Sequence, residues 1–132
     1  MNQRPLSPHL GVYKFMYTMS LSILHRITGI AATFGFLALV WWLMALASGP
    51  DSYAQAMRLL STWVAKLLLV GFTFSFIYHF CNGIRHLVWD TGRGLERVQA
   101  RRSGMLVIVT AVLLTALVIW FGCAALAPGG VP

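Results

Sequence analysis

Three long stretches of this chain contain no Asp, Glu, Lys or Arg, namely residues 27–50, 67–84 and 103–132. A helix of about 20 apolar residues is long enough to cross the hydrocarbon core of a bilayer. The second stretch can cross if Lys66 or Arg85 extends its charged end to the interface. The chain is also 58% hydrophobic and only 10% charged, which is too apolar for a soluble domain of this size. We therefore predict an all-α integral membrane protein.

The predicted architecture is a single membrane-anchor domain over residues 1–132. Its transmembrane helices are expected at about residues 20–47, 62–90 and 104–126. Two prolines in residues 4–10 disfavour helix, so residues 1–18 should form an extended arm on the membrane surface. Ser52 and Gln55 have the spacing of a capping box, which predicts a short interfacial helix before the second span. A basic loop should follow Thr91.

The net charge of +7 is distributed unevenly along the chain. Eight of the basic residues fall at the first span or around the second loop: Arg4, Lys14, Arg26, Arg85, Arg93, Arg97, Arg101 and Arg102. The other two, Arg58 and Lys66, fall on the opposite side. The positive-inside rule then predicts a cytoplasmic N-terminus and a C-terminus on the far side. Nucleic-acid binding is excluded, because basic residues interleaved with polar or aromatic readers on a soluble face are missing.

A stripe of small residues brackets a histidine on the second span. Gly71, Ser75, His79 and Gly83 recur every four residues and so share one helix face. Small residues at this spacing often pack membrane helices together, but packing does not explain an ionisable ring in the stripe. A histidine within a membrane span is costly and therefore usually functional.

Three roles fit a histidine at this depth: a proton relay, a metal ligand or a haem ligand. A relay would need further ionisable groups towards the outer face, and a zinc or copper site would need more ligands at the same depth. Haem needs only one or two axial ligands, so it is the most economical interpretation. His79 would lie about 9 Å below Arg85 along the helix. Arg85, His86 and His25 could then contact the propionates, although ordinary interfacial placement also explains the histidines.

A second polar cluster opens the first span. Ser22 and Arg26 lie one turn apart on one face, and His25 is offset by about 100°. A hydroxyl and a guanidinium can donate hydrogen bonds to the carbonyl oxygens of a quinone, and the cation would stabilise negative charge on the headgroup. Arg26 could equally serve only as a topology anchor. Cys81 and Cys123 are interpreted as packing residues, since two thiols cannot supply an iron–sulfur cluster.

These residues resemble the cytochrome b membrane-anchor family of succinate dehydrogenase. Three motifs carry the resemblance: residues 4–10 (RPLSPHL) with Tyr13, residues 22–29 (SILHRITG) against S-I-x-H-R-x-[ST]-G, and residues 79–90 (HFCNGIRHLVWD) against H-x-x-x-G-x-R-H-L-x-W-D. All three occur in the family's order. The sequence shows no departure from the motifs at a key position.

The resemblance implies a specific assembly and specific site residues. The chain would form half of a heterodimeric haem-binding helix bundle with a second small membrane-anchor subunit. An iron–sulfur subunit and a flavoprotein subunit would dock on the inner face and hold the clusters and the flavin. His79 would be one axial ligand of a shared haem b, and Ser22 and Arg26 would line the ubiquinone site. His25, Arg85 and His86 would contact the haem propionates or support the site.

The implied activity is electron transfer from succinate to ubiquinone, with the isolated chain itself not catalytic. The alternatives are an anchor of a quinol:fumarate reductase, a haem-free structural subunit or a transporter subunit. No Arg-rich, Ser-rich presequence precedes the arm, so a bacterial inner membrane is expected rather than a mitochondrial one.

Overall fold

The computed structural model describes residues 17–125, except for the side chain of Thr18. It contains four helices in this range: α1 (Tyr17–Ala47), α2 (Pro50–Leu60), α3 (Trp63–Asp90) and α4 (Arg97–Ala125). Three of them are long and apolar enough to cross a membrane: Met19–Ala47 within α1, and all of α3 and α4. The predicted all-α membrane fold with three spans is confirmed. The predicted arm, residues 1–18, lies almost entirely outside the described residues.

The short helix before the second span is present, but its predicted cap is wrong. α2 begins at Pro50 after Gly49, whose φ of 107° is strained for residues with a side chain. Proline suits the first position of a helix because its fixed φ is helical and its missing N–H costs nothing there. Ser52 therefore lies inside α2 and caps nothing. The next helix, α3, is capped by Thr62, whose hydroxyl accepts a hydrogen bond from the Ala65 amide at 3.3 Å.

The fourth helix begins at Arg97 rather than at the predicted Gly104. The first two turns of α4 carry Arg97, Arg101 and Arg102, so these arginines are helical and not in a loop. Arginine is a good helix former, and its long side chain can extend from a helix to the interface. The connection from α3 to α4 shortens to residues 91–96. It turns at Gly92 and Gly94, with φ of 76° and 75°.

The core of the bundle lies along α3, which packs against α1 on one side and α4 on the other. Tyr78, Val107 and Ala111 form the buried core cluster. The Tyr78 hydroxyl donates a hydrogen bond to the Leu21 carbonyl at 3.3 Å and so joins α3 to α1. Most other large apolar side chains are exposed on this chain, as expected for helices that meet lipid or another membrane subunit. We call the end of the bundle with Tyr17, Asp90 and Arg97 the basic end.

Candidate functional site

Three imidazole rings stack on one another near the basic end. The His25 ring on α1 lies 4.0 Å from the His79 ring and 5.1 Å from the His86 ring, measured between centroids. The interplanar angles are 11° and 17°, so the three rings are nearly parallel. His79 and His86 are seven residues apart and therefore share a face of α3. The structure thus brings together three of the predicted site residues.

The orientation of the His79 ring is fixed by the backbone of α1. Its Nδ1 lies 3.1 Å from the carbonyl oxygen of His25. A carbonyl only accepts hydrogen bonds, so Nδ1 carries the proton and Nε2 keeps a free lone pair. Histidines that bind metals commonly use this arrangement, with one nitrogen donating to a carbonyl and the other facing the metal.

Gly29 allows the His79 ring to approach α1 closely. A Cβ atom at Gly29 would lie only 2.8 Å from Cε1 of His79. Thr28, next to it, is buried, and its hydroxyl lies 3.0 Å from the same His25 carbonyl that faces His79. Gly29 was not among the predicted site residues. Its position at the end of the first-helix motif was the available signal.

The small-residue stripe of α3 is packed only in part. Ser75 is buried and His79 is half-buried. A Cβ atom at Gly71 or Gly83 would meet no heavy atom within 4 Å among the residues that the structure describes. Gly83, one turn from His79, therefore leaves open space beside the imidazole. Among residues 17–125, close helix packing does not account for the whole stripe.

His86 is held by its own helix. Its Nδ1 lies 2.7 Å from the carbonyl oxygen of Asn82, so this nitrogen also carries the proton. Asn82 is almost completely buried, at 1% exposure, and its role was not anticipated from the sequence.

Arg85 points to α4 and not to the stacked imidazoles. Its guanidinium donates hydrogen bonds to the Ser103 hydroxyl at 2.9 Å, the Ala100 carbonyl at 2.8 Å and the Asn82 side-chain oxygen at 3.2 Å. The side chain is buried, with 7% exposure. Three partners satisfy much of the hydrogen-bonding capacity of a buried guanidinium, which would otherwise be costly.

Ser22 and Arg26 lie on the surface of α1, both exposed and one turn apart. They flank His25 in sequence, and its Nδ1 is buried without a hydrogen-bond partner among residues 17–125. A polar surface patch therefore adjoins the imidazole stack. Across the same residues, no group of three His, Cys, Asp or Glu side chains could hold a metal ion alone. Cys81 and Cys123 are both free thiols.

The fold and this cluster define a class of protein: a membrane-spanning helical subunit with a stack of imidazoles at its basic end. The family model for the succinate dehydrogenase/fumarate reductase transmembrane subunit matches residues 1–118, and the chain belongs to this family. The predicted family resemblance is therefore confirmed. Membership makes the chain a subunit of an oxidoreductase complex.

Individual relatives agree with the family match. The succinate dehydrogenase cytochrome b556 subunit of Rickettsia prowazekii (strain Madrid E) is 47% identical over 116 residues, which cover 88% of this chain and 90% of that protein. The b556 subunit of Paracoccus denitrificans is 40% identical over 114 residues, with coverages of 86% and 88%. The mitochondrial cytochrome b560 subunit of Homo sapiens is 39% identical over 114 residues, with coverages of 85% and 68%.

Proposed function

We propose that this chain is the cytochrome b anchor of a succinate dehydrogenase. In this proposal it binds haem b together with a second small anchor subunit and forms part of the site where ubiquinone is reduced. The observation that carries the proposal is His79, a half-buried membrane histidine with Nδ1 on a carbonyl and Nε2 free. The names of the relatives, cytochrome b556 and b560, support a b-type haem.

The residues fit a haem by the chemistry of their donors. His79 offers one nitrogen ligand, and the open space beside Gly83 leaves room for a broad planar group. The family motif assigns His79 as this chain's ligand to the iron, so the second ligand would come from the partner anchor. Haem, when bound, supplies one-electron redox chemistry. His25 and His86 would contact the propionates, while Arg85 would support the site from the α4 side.

The quinone site would be built on the exposed patch of α1. Ser22 and Arg26 can each donate hydrogen bonds from adjacent turns of the helix. The Arg26 cation would stabilise the negative charge that a quinone headgroup gains on reduction. Flavin and iron–sulfur clusters would belong to the flavoprotein and iron–sulfur subunits, which would dock at the basic end. This chain's work would be to position the quinone and stabilise charge, and alone it would not catalyse the reaction.

The proposed location is the inner membrane of a bacterium, with the N-terminus in the cytoplasm and the C-terminus in the periplasm. The arginines at the basic end support this orientation through the positive-inside rule. The relatives from Rickettsia and Paracoccus support a bacterial membrane. The family also includes fumarate reductase subunits, but the three relatives named above are succinate dehydrogenase subunits, which favours succinate oxidation.

The test is a reduced-minus-oxidised visible spectrum of the whole purified complex. The wild type should show a low-spin b-type signal, and His79→Ala should lose it because the iron loses an axial ligand. Leu67→Ala, an exposed position on the same helix, is the matched control and should keep the signal. An unchanged spectrum in His79→Ala would remove His79 as the ligand. A wild-type complex without haem would refute the proposal.

A further inference from the structure

We infer that Arg85 and Trp89 are positioning residues that fix the imidazole stack from the α4 side. The inference rests on the proposed function, because the stack matters to a redox centre only if His79 binds haem iron. The four rings of Trp89, His86, His25 and His79 form one continuous series of contacts. Arg85 holds the first member of that series in place.

Arg85 is itself immobilised by α4. Two of its three hydrogen bonds go to Ser103 and Ala100, and the third goes to Asn82. Its Cζ lies 3.9 Å from the centroid of the Trp89 ring. At this distance a guanidinium is attracted to the face of an indole ring. The Arg85 guanidinium therefore fixes the Trp89 ring relative to α4.

Trp89 is fixed on a second side by the turn that follows α3. Its Nε1–H donates a hydrogen bond to the Gly94 carbonyl at 3.0 Å. Gly94 has a φ of 75°, which residues with a side chain rarely adopt, so the sequence of this turn helps to place the acceptor. With one face on Arg85 and its N–H bonded, the indole has little freedom to rotate.

The Trp89 ring meets His86 at a tilted, edge-type contact. Their centroids are 5.2 Å apart and the planes make an angle of 62°. His86 then stacks on His25, and His25 stacks on His79 at 4.0 Å. Each of these rings contacts the next, so a displacement of one ring is passed to its neighbour. A change at Trp89 should therefore reach the His79 ring although the two side chains lie more than two helical turns apart.

The experiment measures the haem rather than the turnover of the complex. We compare wild type, Trp89→Leu, Trp89→Phe and Arg85→Lys in the whole complex, by redox titration and by low-temperature electron paramagnetic resonance. Trp89→Leu should lower the haem midpoint potential and broaden the low-spin signal. A loosened stack admits water, which favours the more highly charged oxidised iron. Trp89→Phe, which keeps an aromatic ring next to Arg85 and His86 but loses the hydrogen bond to Gly94, should give a smaller shift in the same direction.

The Arg85→Lys variant tests whether the planar shape of the Arg85 side chain matters in addition to its positive charge. Lysine keeps the positive charge but cannot reproduce the planar stacking and the three directed hydrogen bonds. We expect a shift in the same direction as in Trp89→Leu. Trp120→Leu is the matched control, because Trp120 is 72% exposed on α4 and touches none of these rings. It should leave the potential and the line shape at the wild-type values.

The possible outcomes distinguish this inference from the function on which it rests. A smaller yield of complex whose remaining haem is spectrally unchanged in all three variants would overturn the inference, since the residues would then act only in folding. Should Trp89→Leu assemble too poorly to measure, Trp89→Phe and Arg85→Lys decide by the same criterion. A wild-type complex without any haem signal would overturn the proposed function and the inference together.

Discussion

Arg26 lies exposed on α1, directly after the half-buried His25 of the imidazole stack. The Arg26 side chain makes no hydrogen bond to another residue within the range 17–125. Its charge is available to a ligand or to a neighbouring subunit. The choice between a quinone-site residue and a topology anchor can be made by experiment.

We expect Arg26→Leu to impair quinone reduction while sparing succinate oxidation. A hydrogen bond from a charged donor contributes about 1.5–3 kcal/mol, so kcat/KM for quinone should fall by roughly ten- to a hundredfold. Succinate oxidation with a soluble dye as the acceptor should be unchanged, because that route bypasses the quinone.

The matched control for Arg26 is Arg58→Leu, an exposed arginine on α2 away from the basic end. It should leave both activities unaltered. Equal quinone kinetics in Arg26→Leu and wild type would assign Arg26 to membrane orientation alone.

At this scale the sequence predicted which histidines lie in the cluster, but not how their rings contact one another. The spacing of His79 and His86 placed both on one face of α3, because the helical period dictates it. The contact of His25 with both rings depends on how α1 is rotated about its axis. An almost uniformly apolar helix carries little pattern to indicate that rotation. The orientation of Arg85 towards Ser103 and Ala100 is a tertiary contact, which the motif spacing did not indicate.

The approach of α1 to α3 is the element-scale feature on which the site depends. Two glycines of α1 sit where α3 side chains press against its backbone. Gly29 faces His79, and Gly35 faces Phe72 so closely that any side chain would overlap the ring. Small residues at such contacts are the usual means by which membrane helices come close together.

We predict that Gly29→Ala will reduce haem occupancy. The new methyl group would lie 2.8 Å from Cε1 of His79, closer than two carbon atoms can pack, so the ring or the helix must move. Alanine is favoured over glycine inside a helix by about 1 kcal/mol, so a loss would reflect the contact and not the helix. The measurement is haem per complex, from the pyridine haemochrome spectrum.

Gly71→Ala provides the comparison on α3. A Cβ at Gly71 meets no described atom within 4 Å, so this variant should bind haem normally. If Gly29→Ala retained full haem with an unshifted spectrum, the close packing of His79 on α1 would not matter for the site.

The helices themselves were largely predictable, whereas their ends were not. Three long stretches without charged residues predicted three spans, because the thickness of the bilayer sets the length that a spanning helix needs. The starts of α2 and α4 depended on weaker signals. The capping-box pattern at Ser52 suggested a later start for α2 than Pro50, where the helix begins. The arginines at the start of α4 were interpreted as loop residues, although arginine is a good helix former.

The whole molecule has two chemically different ends. Arginines crowd the basic end, whereas Trp63 and Trp120 are exposed towards the other end, at 73% and 72%. Tryptophan is enriched at membrane interfaces, and positive charge favours the cytoplasmic side. The charge asymmetry predicts the orientation of the bundle, whereas tryptophan marks an interface on either side. The sequence indicated this polarity, but not which exposed apolar faces meet the partner anchor and which meet lipid.

Cysteine labelling tests that orientation. After Cys81 and Cys123 are replaced by serine, Ser61→Cys introduces a thiol between α2 and α3, and Thr91→Cys introduces one after α3. Both positions are exposed. A membrane-impermeant maleimide should label Ser61→Cys in intact spheroplasts. It should label Thr91→Cys only in inverted vesicles stripped of peripheral subunits. The reverse pattern would refute the proposed topology.

The acceptor that orients His79 belongs to the main chain, and this has a consequence for how the protein can evolve. A side-chain partner is lost when its codon changes, but every amino acid at position 25 brings the same carbonyl oxygen. Mutational drift there can remove the stacked ring without removing the hydrogen bond at 3.1 Å. The direction of the His79 ring is therefore inherited with the path of α1. A substitution at position 25 would therefore act on the stack of rings, while the carbonyl that accepts the His79 hydrogen bond stays in place.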